Sequence, residues 1–122
     1  MIVDDDVDIR ETLHDILVSE GYEVVLAENG LQALQYLRAA AGPLPRLIFL
    51  DLGMPVMSGG EFRELQRREP RWSAIPTVVI TASGASDETV EGLEPSAVIR
   101  KPFRVDALMA AVNRYCGGPP NV

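Results

Sequence analysis

The stretch that most constrains this chain is the apolar run at residues 47–51, which ends in an aspartate. Consecutive apolar residues between Pro45 and Gly53 are typical of a strand buried on both faces of a parallel sheet. Ligands of open parallel sheets bind at the carboxyl ends of the strands. We therefore expect the Asp51 carboxylate to lie at a ligand-binding edge.

Strand and helix patterns alternate along the rest of the chain. Strands are predicted at residues 1–3, 22–27, 47–51, 77–81 and 97–100. Five helices lie between and after them; the fourth, at residues 87–93, is stopped early by Pro95. Asp6 or Asp8 can cap the first helix, and Gly117-Gly118 closes the last. Residues 69–76 are predicted to form a loop in which Trp72 packs over the sheet. The alternation predicts an α/β fold with helices on both faces of a five-stranded parallel sheet.

Length and charge limit the classes of function that this chain can have. Its 122 residues suit one domain, predicted at residues 1–118 with a C-terminal tail at 119–122. The net charge of −7 argues against a surface for nucleic acid or an anionic membrane. The single cysteine, Cys116, allows no intrachain disulfide and suits a reducing cytoplasm. We expect no signal peptide and no membrane span, so the predicted location is cytoplasmic.

Polar side chains follow four of the predicted strands. These strand ends present Asp4 with Asp5, Asp51, Thr81 and Lys101. Carboxylates that meet at one edge repel each other by roughly 4 kcal/mol per pair at ~4 Å and a dielectric constant near 20. Either one of them stays protonated or a cation lies among them. Oxygen ligands without histidine or cysteine favour a hard ion, and Mg²⁺ is the predicted one.

The remaining two side chains suit phosphate chemistry. Lys101 supplies a point charge for a phosphoryl oxygen, and the Thr81 hydroxyl can donate a hydrogen bond to another. A carboxylate, a divalent ion, a lysine and a hydroxyl together predict a phosphoryl-transfer site. In such a site the protein supplies position and neutralisation of charge.

Four motifs in this order resemble those of a response-regulator receiver domain. They are Ile2-Val3-Asp4-Asp5-Asp6, Leu50-Asp51-Leu52-Gly53-Met54-Pro55 with Ser58-Gly59, Ile80-Thr81-Ala82, and Lys101-Pro102-Phe103. The resemblance covers essentially the whole chain. It implies a flavodoxin-like, doubly wound sheet in the strand order 2-1-3-4-5, as in chemotaxis regulators.

The same resemblance implies a role in a two-component phosphorelay. Asp51 would be the phosphoacceptor, with a sensor histidine kinase or histidine phosphotransfer protein as donor and an unidentified downstream effector. Asp5, Asp51 and the backbone carbonyl of Gly53 would hold Mg²⁺, and Asp4 would act through a water on the metal. Such a domain catalyses only its own phosphorylation and dephosphorylation.

The resemblance also implies roles for the other two site residues. Lys101 would pair with Asp51 and then with the phosphoryl group, and Thr81 would move toward that group on its arrival. The Lys101–Pro102 bond is expected to be cis. Receiver domains usually carry an aromatic residue three positions before the lysine, where this chain has Val98. The interval from Thr81 to Lys101 is slightly shorter than usual, so the fourth helix should be short or irregular.

Small side chains around Asp51 predict an open site. Gly53 and Ala82 leave room for water as well as for phosphodonors. The acyl phosphate on Asp51 is therefore expected to be short-lived unless Ser83 or a partner covers it.

Three alternative functions fit these residues less well. A phosphohydrolase of the haloacid-dehalogenase type needs a second aspartate two residues after the nucleophile, where this chain has Gly53. A flavin-binding module needs a phosphate-binding loop after the first strand, where Asp4 and Asp5 would repel the phosphate. A receiver used only as a scaffold conflicts with the complete set of site residues, although Val98 keeps that alternative open.

Overall fold

The computed structural model describes residues 1–82 and 86–117 of the chain. Within these ranges the strands are β1 (Ile2–Val3), β2 (Leu26–Ala27), β3 (Ile48–Asp51), β4 (Thr77–Thr81) and β5 (Ala97–Arg100). The helices are α1 (Val7–Ser19), α2 (Gly30–Ala39), α3 (Gly59–Arg68), α4 (Pro70–Ser73), α5 (Asp87–Gly92) and α6 (Val105–Cys116). None of the described helices is long and apolar enough to cross a bilayer.

The five strands form one sheet in the order β2-β1-β3-β4-β5, and every neighbouring pair is parallel. The doubly wound architecture and the strand order predicted from the sequence are confirmed. The register places Asp51 opposite Ile80, and Thr81 opposite Arg100. The ends of β3, β4 and β5 therefore reach the same edge of the sheet.

Two hydrophobic cores cover the two faces of the sheet. On one face, Leu34 of α2 and Phe62 of α3 pack with Ile48 and Leu50 of β3. On the other face, Leu13 of α1 and Leu108 of α6 pack with Phe49. Successive residues of β3 thus point alternately into the two cores. This explains why every residue of the strand before Asp51 is apolar.

The helix α4 corrects the prediction of five helices, because residues 1–82 and 86–117 already contain six. Residues 69–76 were expected to be a loop, yet Pro70 begins a turn of helix whose Arg71 amide donates to the Glu69 carboxylate at 3.2 Å. Proline is favourable at the first helical position, since that position needs no amide hydrogen. The predicted packing of Trp72 is confirmed, because this side chain is buried in the core beside α3.

The strand β2 is shorter than predicted. The prediction covered residues 22–27, but only Leu26–Ala27 form the strand. Its partner β1 offers only Ile2 and Val3 for pairing, opposite Leu26 and Ala27. A strand extends only as far as its neighbour supplies hydrogen bonds, so the sequence pattern of one strand overestimates its length.

The predicted helix ends agree with the structure in three places. Asp6 caps α1, because its carboxylate accepts from the amides of Asp8 and Ile9. The helix α5 is short, as predicted, and α6 ends at Gly117 in a left-handed conformation with φ of 67°. The predictions about Ser83, about Gly118 and about a boundary between residues 118 and 119 lie outside the described residues.

Candidate functional site

The turn between β1 and α1 positions the first two acidic residues of the site. Asp4 is buried, and its Oδ1 accepts the backbone amide of Asp6 at 2.9 Å. Asp6 in turn caps α1, so the cap and the placement of Asp4 belong to one hydrogen-bonded turn. Asp5 follows with an exposed side chain at the same edge.

Asp51 ends β3 and is buried, with 7% of its surface exposed. The chain then turns into α3, and the Gly59 amide donates to the Leu52 carbonyl at 3.1 Å. A Cβ atom at Gly59 would overlap the Asp51 carbonyl oxygen. Only glycine therefore allows the first turn of α3 to lie directly against the backbone of Asp51.

The fold brings three carboxylates and one ammonium group together. Asp4, Asp5 and Asp51 each offer an oxygen, and these oxygens lie within 4.8 Å of one another. Lys101 Nζ lies 3.2 Å from Asp4 Oδ2 and 3.5 Å from Asp51 Oδ1. The structure thus places four of the predicted site residues in one cluster, which could bind a metal ion.

Charge and burial shift the pKa values of the two central groups. Burial, and then the negative charge of Asp4, raise the pKa of the Asp51 carboxyl, while Lys101 opposes the rise. Burial alone would lower the pKa of Lys101, but Asp4 and Asp51 outweigh it and the net shift is upward. The lysine is therefore firmly cationic, whereas the charge on Asp51 is costly without a further cation.

Thr81 and Gly53 border the cleft beside the cluster. Both line a cleft of about 590 Å³ together with Asp51 and Lys101. Thr81 is buried, and its hydroxyl donates to the Ala82 carbonyl at 3.3 Å. The expected open site is present as a cleft, and it has room for a group larger than a water molecule.

The connection from β5 to α6 positions Lys101. Its backbone amide donates to the Thr81 carbonyl at 2.8 Å, which ties the ends of β4 and β5 together. The Lys101–Pro102 peptide bond is cis, as the resemblance implied. Val98 lies on β5 with 40% of its surface exposed.

Sequence reasoning missed two residues that belong to this site. The Arg10 guanidinium donates to the Asp4 carbonyl at 2.8 Å, so it braces the turn that carries the acidic pair. A cation near the N-terminus of a helix interacts unfavourably with the helix dipole, so Arg10 needs a compensating partner there. This unfavourable position is the sequence signal that could have identified Arg10. Thr89 of α5 also lines the cleft, but an isolated threonine gives no such signal.

Comparison with known proteins agrees with this geometry. The profile of the response regulator receiver domain matches residues 1–113. The chain is 36% identical over 126 aligned positions to the "Transcriptional regulatory protein CpxR homolog" of Haemophilus influenzae, covering 99% of this chain and 52% of that protein. It is 36% identical over 117 positions to "Sporulation initiation phosphotransferase F" of Bacillus subtilis, covering 94% of this chain and 90% of that protein.

A solved structure supports the same assignment. The signal receiver domain of a signal transduction histidine kinase from Syntrophus aciditrophicus superposes with a TM-score of 0.84 at 28% identity. The match covers 99% of this chain and 91% of that one. The chain spans about half the length of the first curated relatives that it matches. This chain belongs to the family of response regulator receiver domains.

Proposed function

We propose that this chain is the phosphoacceptor domain of a two-component phosphorelay and that Asp51 receives the phosphoryl group. The observation that carries the proposal is the contact of Lys101 with both Asp4 and Asp51, beside an open cleft that Lys101 and Asp51 line. The donor would be the phosphohistidine of a sensor histidine kinase or of a histidine phosphotransfer protein. A downstream effector would read the resulting change, and the chain would act in the cytoplasm.

The transfer would proceed by direct attack on phosphorus. An oxygen of the Asp51 carboxylate forms the new bond to phosphorus, and the bond from phosphorus to the donor imidazole nitrogen breaks. The imidazole leaves with the electron pair and takes up a proton. Lys101 neutralises the charge of the transferred group, and the Thr81 hydroxyl donates to one of its oxygens. The chain catalyses no reaction other than its own phosphorylation and dephosphorylation.

The acidic cluster fits a magnesium ion. Asp5 and Asp51 would hold it together with the carbonyl of Gly53, a residue that lines the same cleft as both aspartates. Asp4 would act less directly, since its Oδ1 accepts from Asp6 and its Oδ2 accepts from Lys101. The donor set is all oxygen, as Mg²⁺ prefers. When bound, the ion would neutralise charge on the phosphoryl oxygens.

The test is phosphorylation by a small donor. Purified protein is incubated with acetyl phosphate and Mg²⁺, and its intact mass is measured. We expect the wild type to gain one phosphoryl group and Asp51→Asn to gain none. Asp15→Asn is the matched control, because Asp15 is exposed on α1 and outside the cluster. Equal labelling of the wild type and Asp51→Asn would show that another residue is the acceptor.

A further inference from the structure

Two arginines of α3, one helical turn apart, bind the C-terminal end of α5. Arg63 donates from Nε to the Leu93 carbonyl at 2.9 Å and from Nη2 to the Glu94 carbonyl at 2.7 Å. Arg67 donates from Nη1 to the Gly92 carbonyl at 3.1 Å, and its Nη2 lies 2.9 Å from the Glu94 carboxylate. The last carbonyls of a helix lack intrahelical donors and carry its negative end, so cations stabilise them. We call these five residues the arginine clamp.

The clamp is fixed to the body of the domain. Arg63 is only 6% exposed, and its Nη1 also donates to the Thr77 hydroxyl at 3.1 Å and to Gln66 Oε1 at 2.9 Å. Gln66 is fully buried and donates in turn to the carbonyls of Trp72 and Ile75. The end of α5 is therefore held by a network that reaches the start of β4 and the turn after α4.

The opposite end of α5 reaches the phosphorylation cleft. Thr89 lines that cleft together with Asp51 and Thr81. The hydroxyl groups of Ser86 and Thr89 lie 2.7 Å apart, and the Thr89 amide donates to Ser86 Oγ at 3.2 Å. A helix of this length is only about 9 Å long, so its first turn lies within about 9 Å of the carbonyls that the arginines hold. Fixing the C-terminal end therefore restricts where the first turn can lie.

We propose that Arg63 and Arg67 are positioning residues that hold the first turn of α5 at the cleft and so limit access of water to the phosphoryl group on Asp51. The inference rests on the proposed function. In the hydrolysis that it limits, a water oxygen attacks phosphorus and the bond from phosphorus to the Asp51 oxygen breaks. Inorganic phosphate leaves, a proton passes to solvent and the carboxylate is restored.

The clamp differs in kind from the groups that touch the phosphoryl group. Neither arginine lines the cleft, and both act through the last residue of α5 and the two residues that follow it. Loss of the clamp should therefore change the lifetime of the acyl phosphate without changing Mg²⁺ affinity, which depends on the acidic cluster. This separation distinguishes a positioning role from general loosening of the fold.

The experiment measures loss of the phosphoryl group after the donor is removed. Wild type, Arg63→Met and Arg67→Met are loaded with acetyl phosphate and Mg²⁺, and the adduct is followed by intact mass. We expect both variants to lose it about threefold faster or more, because a group that screens a reacting site from water has moved. Arg63→Lys should rescue the lifetime only in part, since one ammonium group cannot reproduce the fork of a guanidinium. Arg68→Met, on the same helix but outside the clamp, should match the wild type.

Each outcome of this experiment decides the inference. Because Arg63 is buried, Arg67→Met provides the second variant if Arg63→Met fails to fold. Equal lifetimes in the wild type and Arg67→Met overturn the positioning role but leave Asp51 as acceptor. A parallel loss of Mg²⁺ affinity also overturns it. If the wild type takes up no phosphoryl group, the proposed function fails. In that case the positioning role is tested on the unphosphorylated protein by the NMR chemical shift of the Thr89 amide. If this chemical shift is the same in Arg67→Met as in the wild type, the positioning role is overturned.

Discussion

The ammonium nitrogen of Lys101 lies 3.2 Å from Asp4 Oδ2, although 97 positions separate the two residues. Its distance to Asp51 Oδ1 is longer, at 3.5 Å. The lysine therefore keeps a carboxylate partner even when the charge on Asp51 is removed. This arrangement lets Asp51 change its chemical state without leaving the partly buried Lys101 cation unpaired.

Asp51→Asn should stabilise the protein in the absence of Mg²⁺. Burial and the charge of Asp4 raise the pKa of Asp51, so the ionised carboxylate disfavours the folded state. Removing that charge is expected to increase the free energy of unfolding by about 1 kcal/mol at neutral pH. Urea unfolding in EDTA measures the difference, with Asp15→Asn as the control. A less stable Asp51→Asn protein would contradict this account of the cluster.

The stabilisation by Asp51→Asn should depend on pH. The pKa of Asp51 is raised above its ordinary value of 3.8, so the folded state binds the proton more tightly than the unfolded state. Ionisation then lowers stability as the pH rises from 3.8 through the raised pKa. We expect the stability difference between Asp51→Asn and wild type to be absent below this window, to grow across it and to level off above. If the stability difference became smaller with rising pH, the pKa of Asp51 would be lowered in the folded state and not raised.

Mg²⁺ should stabilise the wild type, and Asp5→Asn should abolish most of that effect. Asp5 supplies an exposed oxygen to the acidic cluster, and an ion that binds only the folded state stabilises it by about 2.7 kcal/mol at 100 times its dissociation constant. Thermal unfolding with and without Mg²⁺ measures the shift. Asp8→Asn is the control, since Asp8 lies in the first turn of α1 outside the cluster. Equal shifts in Asp5→Asn and Asp8→Asn would remove Asp5 from the metal site.

Gly59→Ala should destabilise the protein, whereas Gly60→Ala should not. A methyl group at Gly59 would overlap the Asp51 carbonyl and approach Leu52 Cα to 2.8 Å, both of which are backbone atoms that cannot move aside. We expect Gly59→Ala to destabilise the protein by about 1–3 kcal/mol and to slow phosphorylation. At Gly60 the nearest atom would be Ser58 Oγ at 3.8 Å, so alanine should be neutral or stabilising by up to about 1 kcal/mol. Chemical denaturation of the two variants and the wild type measures the free energy of unfolding. An equal decrease in both variants would contradict the close packing of Gly59 against Asp51.

Val56→Gly should stabilise the loop after Asp51. Val56 has φ of 68°, a left-handed conformation that is unfavourable for a β-branched residue, and it is 75% exposed. Glycine relieves this strain at the price of some flexibility in the unfolded chain, and we expect a net gain of about 1 kcal/mol. Val56→Ala keeps a Cβ atom and should gain less. Denaturation curves test whether stability increases from the wild type to Val56→Ala to Val56→Gly. A Val56→Gly protein less stable than the wild type would contradict this prediction.

Much of the fold could be predicted from the sequence because local patterns and packing agree there. The strands β4 and β5 have the predicted bounds, since β-branched runs between turn residues leave few alternatives. Asp6 was one of two predicted caps of α1, and the structure selects it. The bounds of β2 and the existence of α4 could not be predicted. The first depends on how many residues β1 offers as partners, and the second depends on a single turn that begins at Pro70.

The candidate site also contains residues that the sequence predicts and residues that it does not. Parallel strands with right-handed crossovers must bring their carboxyl ends to one edge, and the site residues Asp4, Asp5, Asp51, Thr81 and Lys101 lie at or just after those ends. Arg10 and Thr89 reach the site from helices, where their direction depends on the angle at which each helix packs.

The sequence alone therefore determined that the strand ends and their charged residues meet at one edge, because the alternation of strand and helix patterns is local and parallel strands joined by crossovers carry their carboxyl ends to the same edge. The tertiary structure decided the distances, such as the closer approach of Lys101 to Asp4 than to Asp51. It also decided that Arg63 and Gln66, which are polar on a helix, are buried. A polar side chain can be buried only where another segment supplies its hydrogen bonds, and for Arg63 these are the carbonyls at the end of α5.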